Sequence, residues 1–379
     1  MRKVFYLCFY SDPEYMDRLV IFPSALSKIE YVVESLKKCG YQTNVVSVAT
    51  SLKGRFKGRK KQIDEQETHT YLSAIKTKFA AINKVLAIVR WIQILCFLLK
   101  NVKKDDKVVI YHSLYHRYWL HWYKKLFRKD FILQIEDVYT SVHREIAHAK
   151  NAEWNLFSLT DKHICVNDFL KEQLNSRYAV VSYGSYKLPK RIPIEKGEKI
   201  RLVYAGVIEQ LRNAAFFAVK AMEFLPESYE LHILGFGTQE DIGALHSLID
   251  KINETKDKKQ VFYHGEKRGE EYTAFLQSCD IGLSTHVYQK EDLESADHTF
   301  PSKVLVYMAN GLRVVAQDLD VLKESAIGEL MSFYHVPEPE MLAKVIMQVD
   351  LHDAYDSRKK IEQLNQQFCS DLKALLEEI

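Results

Sequence analysis

The 379-residue chain holds six cysteines, and none of the spacings that give cysteine a shared task. Cys8, Cys39, Cys96, Cys165, Cys279 and Cys369 are scattered, with no CxxC pair and no Cys/His cluster at zinc spacing. That excludes a zinc ribbon or a paired redox motif and points to reduced, mostly buried thiols of a cytosolic protein. Low-complexity tracts are lacking, and so is any repeat beyond an alternation of strand and helix, which excludes a solenoid or a disordered chain. Gly235-Phe236-Gly237 has no third glycine at the spacing of a dinucleotide fingerprint. No nucleic-acid recognition module is present, so nucleic acid is not an expected partner. Met1-Arg2-Lys3 leads straight into the apolar run Val4-Phe5-Tyr6-Leu7, so no secretory leader is expected.

The length fits two domains, and 47% hydrophobic residues are ample for two cores. The net charge of +3 hides an asymmetry. Residues 1–190 carry 32 Lys+Arg against 18 Asp+Glu, and residues 191–379 carry 21 against 32. Halves of opposite sign attract each other, or they serve different partners. A basic half suits an anionic membrane surface, where each cation adds on the order of 1 kcal/mol.

The first half opens as a strand (Val4–Phe9), a helix (Ala25–Cys39) stopped by Gly40, and a second strand (Gln42–Val48), a βαβ unit. Lys53–Lys61, with glycines among cations, predicts a mobile basic loop. Residues 71–100 read as one long helical pattern. Its apolar centre, Val85–Leu99, is interrupted by Arg90 and Gln93. That is too short for a membrane span and predicts a buried or interfacial helix. Strands follow at Val108–Tyr111, Phe131–Ile135, 162–166 and 180–182, and a linker with Pro189, Pro193 and Gly197 over 185–199. The rhythm then resumes with strands at Leu202–Ala205, Tyr229–Leu234, Val261–Tyr263, Ile281–Ser284 and Val314–Ala316. Ile361, Leu364, Phe368, Leu372, Leu375 and Ile379 stand at helical spacing near the end.

The most informative stretch is Thr299–Ala316. Pro301 suits the start of a helix, Gly311 its end, and Val314-Val315-Ala316 a buried strand. A helix start offers free N–H donors and partial positive charge, and Ser302 and Lys303 add a hydroxyl and a cation there. The order Pro-Ser-Lys, Tyr-Met-Ala, Gly and a Val-rich strand resembles the nucleotide-sugar motif of GT-B glycosyltransferases, especially the family-4-like bacterial glycan enzymes. The resemblance implies an α/β fold of two Rossmann-like domains facing across a cleft, with a C-terminal helix crossing back to the first. It places an acceptor domain at 1–185, a linker at 186–199, a donor domain at 200–355 and the crossover helix at 356–379.

The resemblance also implies roles. Gly206, Arg212, Ser302 and Lys303 match the positions that hold the donor diphosphate. Gly235, Gly237, His264, Gly265 and Glu266 fall where the nucleoside lies. Glu136, at a strand end, stands where such enzymes often carry a His near the reacting sugar. Three further family positions depart: the motif's glutamates are His298 and Val306 here, and Val207 replaces an arginine. Val306 cannot accept a hydrogen bond from ribose, and Asp297 and His298, in a polar loop expected to be mobile, are left for the sugar side. Catalytic duty thus falls to Glu136, Asp297 and His298. Two cations, Arg212 and Lys303, offset charge on the departing nucleotide, so neither a metal nor another cofactor is expected.

The expected activity is transfer of a sugar from a nucleoside-diphosphate sugar to a glycan or polyprenyl-linked acceptor, with retention, in bacterial surface-polysaccharide assembly. The expected place is the cytoplasm, peripherally on the inner membrane face. The lost glutamates keep two alternatives open: a catalytically weak partner subunit, and a nucleotide-sugar 2-epimerase on the same fold.

Overall fold

A computed structural model describes every residue except Met1, Phe22, Arg128, His143, 183–187, Glu195, Lys196, Arg212, 287–295, Asp297 and Ile379. The chain forms two compact units, Met1–Ser185 with Asn365–Ile379, and Tyr186–Leu364.

Among the described residues the first unit carries an eight-stranded sheet. Its strands are β1 (Lys3–Cys8), β2 (Gln42–Ser47), β4 (Arg59–Gln62), β5 (Glu67–Tyr71), β7 (Lys107–Tyr111), β8 (Ile132–Ile135), β9 (Lys162–Cys165) and β10 (Tyr178–Val181). They are ordered β10-β9-β8-β7-β1-β2-β5-β4. All neighbours run parallel except β4 and β5. β1 is buried from Val4 to Cys8, as expected of a strand covered on both faces. Helix α1 (Pro23–Lys38) ends before Gly40, whose φ of +86° turns the chain into β2.

Two expectations fail in this unit. The basic stretch expected as a mobile loop is largely strand: β3 (Gly54–Phe56) pairs antiparallel with β6 (Ala74–Lys76), and β4 pairs antiparallel with β5. Gly58 permits the turn between them, because a side chain there would meet Ser73 Oγ and the Tyr71 carbonyl at 2.9 Å. Lysines on β4 suit a sheet edge, where charge blocks further pairing. The helical pattern over 71–100 is also shorter than expected, since β6 precedes helix α2 (Ala80–Asn101). Only Arg90, Ile94 and Leu98 of α2 are buried, one stripe at four-residue spacing, so the helix is not a core helix. Helix α3 (Arg117–Phe127) packs beside it, with the Trp91 and Tyr118 rings 4.9 Å apart.

The second unit is built on a parallel sheet of β11 (Ile200–Ala205), β12 (Tyr229–Leu234), β13 (Val261–Tyr263), β14 (Ile281–Ser284), β15 (Arg313–Gln317) and β16 (Met331–Tyr334), ordered β13-β12-β11-β14-β15-β16. The order reverses between β11 and β14, and open α/β sheets bind ligands at the carboxyl ends flanking such a switch. A core of Leu202, Phe217, Leu231, Ile233, Leu283 and Val315 locks helices onto this sheet. β16 and the helix Pro339–Gln348 lack a clear sequence signal and extend the unit beyond the strands expected. The last long helix, Ser357–Glu377, begins in this unit, where Ser357 Oγ donates to the Met308 carbonyl at 2.9 Å. Its far end belongs to the first unit, where Phe368 stacks on Tyr31 and Leu372, Leu375 and Leu376 enter the core.

Candidate donor site

The motif expected to hold diphosphate forms helix Lys303–Ala309, with Ser302 as its N-cap residue and Pro301 just outside. The Ser302 side chain caps no backbone N–H. At the other end Gly311 has φ +86°, its N–H bonds the Met308 carbonyl at 3.0 Å, and the Leu312 N–H bonds the Tyr307 carbonyl at 3.1 Å. That paired closure needs a left-handed residue, as the sequence pattern predicts.

Lys303 and Tyr307 stand four residues apart on one helix face, which docks on the end of β11. The Lys303 ammonium lies 4.1 Å from the centre of the Tyr204 ring, a cation–π distance. Tyr204 is itself fixed, its hydroxyl donating to the Val207 carbonyl at 3.0 Å. The Tyr307 hydroxyl accepts the Ala205 N–H at 2.9 Å, in full burial. Its ring covers Gly282 in β14, where a Cβ would come within 2.3 Å of the ring carbons. One helix therefore bridges both strands of the switch point and sets its only cation beside Gly206.

The glycines expected at the nucleoside have another visible task. Gly235, φ +149°, packs so closely that a Cβ would lie 1.8 Å from the Gly206 carbonyl oxygen, and at Gly237 one would lie 2.4 Å from that of Ile208. Gly206 N–H donates to Leu234 (3.0 Å), Ile208 N–H to Phe236 (2.8 Å) and Gly235 N–H to Gly265 (2.9 Å). The loops after β11, β12 and β13 are thus zipped together by their backbones, and Gly206, Gly235, Gly237 and Gly265 share one end of the sheet. His264 joins them, one ring nitrogen 3.0 Å from His232, with burial pushing its pKa down. Glu266 faces Arg268, which donates two hydrogen bonds to it at 2.9 Å.

Arg212 and Asp297 lie outside the described residues, as does most of the loop preceding the motif. His298 is 5% exposed and Val306 half-buried. Glu136 belongs to the first unit, just past β8. It is 7% exposed, pairs with Lys28 at 3.2 Å and accepts the Gln134 side-chain amide at 2.6 Å. The chain also contains the Asp-x-Asp tripeptide Asp318-Leu319-Asp320, which the sequence reading passes over. Asp318 is engaged by Lys323 (3.1 Å) and His335 (2.6 Å). Among the described residues no group of His, Cys, Asp and Glu is arranged to hold a metal. Sequence reasoning misses Tyr204 and Gly282. A glycine inside an apolar strand is the signal for the second, since it marks close approach of another group.

Two units, each built on a mostly parallel Rossmann-like sheet, define the class: the chain has the GT-B fold. Its structure is similar to that of OtsA without ligand (TM-score 0.66, 11% identity, 100% of this chain and 98% of that one). It is also similar to the UDP-forming α,α-trehalose-phosphate synthase of Burkholderia vietnamiensis (0.64, 8%, 100% and 97%). A third similar structure is the sucrose-phosphate synthase of Thermosynechococcus elongatus (0.64, 12%, 100% and 97%). No curated protein matches the chain in sequence. Residues 199–349, most of the second unit, match the family of glycosyl transferases group 1.

Proposed function

We propose that the protein transfers a sugar from a nucleoside-diphosphate sugar, with retention and without a metal, to a glycan or polyprenyl-linked acceptor in bacterial surface-polysaccharide assembly. The observation that carries this reading is Lys303, held on Tyr204 beside Gly206 at the switch point. An ammonium fixed there pairs with diphosphate and stabilises the charge that grows on the departing nucleotide. Arg212, on the loop after β11, supplies the second cation in this proposal. Gly235, Gly237, His264, Gly265 and Glu266 border the nucleoside, and Asp297 and His298 the sugar. Glu136, ion-paired to Lys28, orients the acceptor. The UDP-forming neighbour supports uridine diphosphate as the first nucleotide to try. The enzyme works in the cytoplasm, peripherally at the inner membrane face.

Val306 favours one other reading, a catalytically weak partner subunit, because an aliphatic side chain offers ribose no hydrogen bond. Thermal-shift titration with UDP, GDP, ADP and CMP separates the two. Saturable stabilisation by one nucleotide, lost in Lys303→Ala and Arg212→Ala, supports the transferase. No stabilisation by any of them overturns the donor site and leaves the subunit.

A further inference from the structure

Helix α2 is long and apolar enough, by length and composition, to cross a membrane. Its stripe of Arg90, Ile94 and Leu98 is packed into the first unit. The opposite face leaves Ile82, Val85, Ile88, Val89 and Ile92 about half exposed or more. On the neighbouring α3, Trp122 and Leu126 are exposed as well, at 52% and 61%. Soluble proteins rarely leave so much contiguous aliphatic and aromatic surface in water.

The charge in this stretch is mostly of one sign. Residues 68–129 contain 13 Lys+Arg and two acidic residues, Asp105 and Asp106. An apolar face rimmed by cations is complementary to the plane of an anionic bilayer.

Beneath α2 lies a cavity of about 470 Å³. Ile75, Leu86, Ala87 and Val89 give it apolar walls, and Arg55, Lys76 and Arg90 line it with cations. Arg90 is 5% exposed. Its guanidinium donates to the carbonyls of Ser73 and Ala49 and to the Gln93 side chain, and no carboxylate pairs with it among the described residues. Its Nε–H and the Tyr115 hydroxyl, both at the cavity, are buried without a hydrogen-bond partner. Burial lowers the Arg90 pKa only to about 10, so the group stays charged at neutral pH. A buried cation with unused donors, no counter-ion and an adjoining apolar cavity calls for an anion that carries a hydrocarbon chain.

We propose that the exposed faces of α2 and α3 rest on an anionic bilayer, and that the cavity beneath α2 takes the phosphate end of a prenyl-phosphate lipid from it. The phosphate meets Arg90, Arg55 and Lys76, and the chain leaves along Leu86 and Val89 toward the bilayer. The proposal deepens the acceptor reading above and rests on it for the prenyl chain.

The test uses the full chain and no sugar donor, so its failure is distinct from failure of the transferase reading. Flotation with phosphatidylcholine vesicles, with and without phosphatidylglycerol, reads the docking face. Calorimetric titration with farnesyl phosphate reads the cavity. The protein is expected to float with the anionic vesicles alone. Val85→Asp with Ile88→Asp should abolish flotation and leave farnesyl phosphate binding intact. Arg55→Gln and Lys76→Gln should each weaken farnesyl phosphate binding about fivefold, the equivalent of one cation near an anionic surface. Arg90→Gln should weaken it further; should that variant misfold, the two exposed-cation variants still decide. Wild-type protein that ignores anionic vesicles, or that binds inorganic phosphate as tightly as farnesyl phosphate, overturns the proposal.

Discussion

The ammonium of Lys303 occupies the space that a side chain on Gly206 would fill: a Cβ built there lies 2.9 Å from Nζ. Ninety-seven residues of sequence separate the two, and the pairing of β11 with β14 brings them together. Lys303→Ala should therefore cost nucleotide affinity rather than stability. Hydrogen bonds to charged groups contribute about 1.5–3 kcal/mol, so calorimetry should show nucleoside-diphosphate binding weakened roughly ten- to hundredfold. An unchanged affinity would remove Lys303 from the site.

Gly206→Ala and Gly235→Ala should part company. At Gly206 the obstacle is the end of a flexible lysine, which can move aside. Binding should fall while the melting temperature barely shifts. At Gly235 the obstacle is a backbone carbonyl at 1.8 Å, and φ is +149°. Strain of this kind costs about 1–3 kcal/mol or more, so thermal unfolding should move down by several degrees. Equal melting temperatures for the two variants would contradict the packing described.

Tyr307→Phe leaves the Ala205 N–H buried without its acceptor, which costs about 1–3 kcal/mol. Gly282→Ala attacks the same contact from the other side by driving a methyl into the Tyr307 ring. Urea unfolding should register both losses, and in the double variant they should fall short of additivity because the residues touch.

Acid should destabilise the first unit through its buried histidines. His116 is fully buried and its Nδ1 accepts the Trp119 indole N–H at 3.0 Å, so the ring must stay neutral. Burial, with His112 nearby, pushes its pKa down from 6.5 to about 3, and burial pushes that of His163 to about 4. The folded value is the lower one, so the unfolded chain takes up the proton first. Stability is complete above pH 6.5 and is lost as pH falls from there toward 3, by about 1.4 kcal/mol per pH unit for each ring. His116→Gln should flatten the decline in melting temperature between pH 6 and pH 4, roughly the span of these shifts. A parallel curve would mean that His116 titrates normally.

The helix-to-strand motif is legible in sequence because its signals are local. Pro301 precedes the helix, Gly311 supplies the left-handed stop, and the Val-rich run follows. Asn167, a polar residue opening the helix Asp168–Leu174, is a local signal of the same kind, and its side chain accepts the Leu170 N–H at 2.8 Å. The role of Tyr204 is not legible, because nothing near it in sequence reveals a lysine about a hundred positions away. The strands at 54–56 and 59–62 are hidden too, since lysine and arginine speak for solvent and not for pairing. The apolar residues of α2 are ambiguous in the opposite sense: hydrophobicity fits either burial or an interface, and most of that helix is exposed.

The long C-terminal helix has a consequence for how the protein is made. Phe368, Leu372, Leu375 and Leu376 complete the core around Tyr31, Val32 and Leu36. Residues 1–185 therefore leave the ribosome with a hole in their interior, while residues 186–364 can close around their own sheet as they emerge. In a chain that folds in domains during synthesis, the usual order is N-terminal first. Here the unit begun first is finished last, and its apolar α1 face must wait, uncovered, for the final turns of the chain.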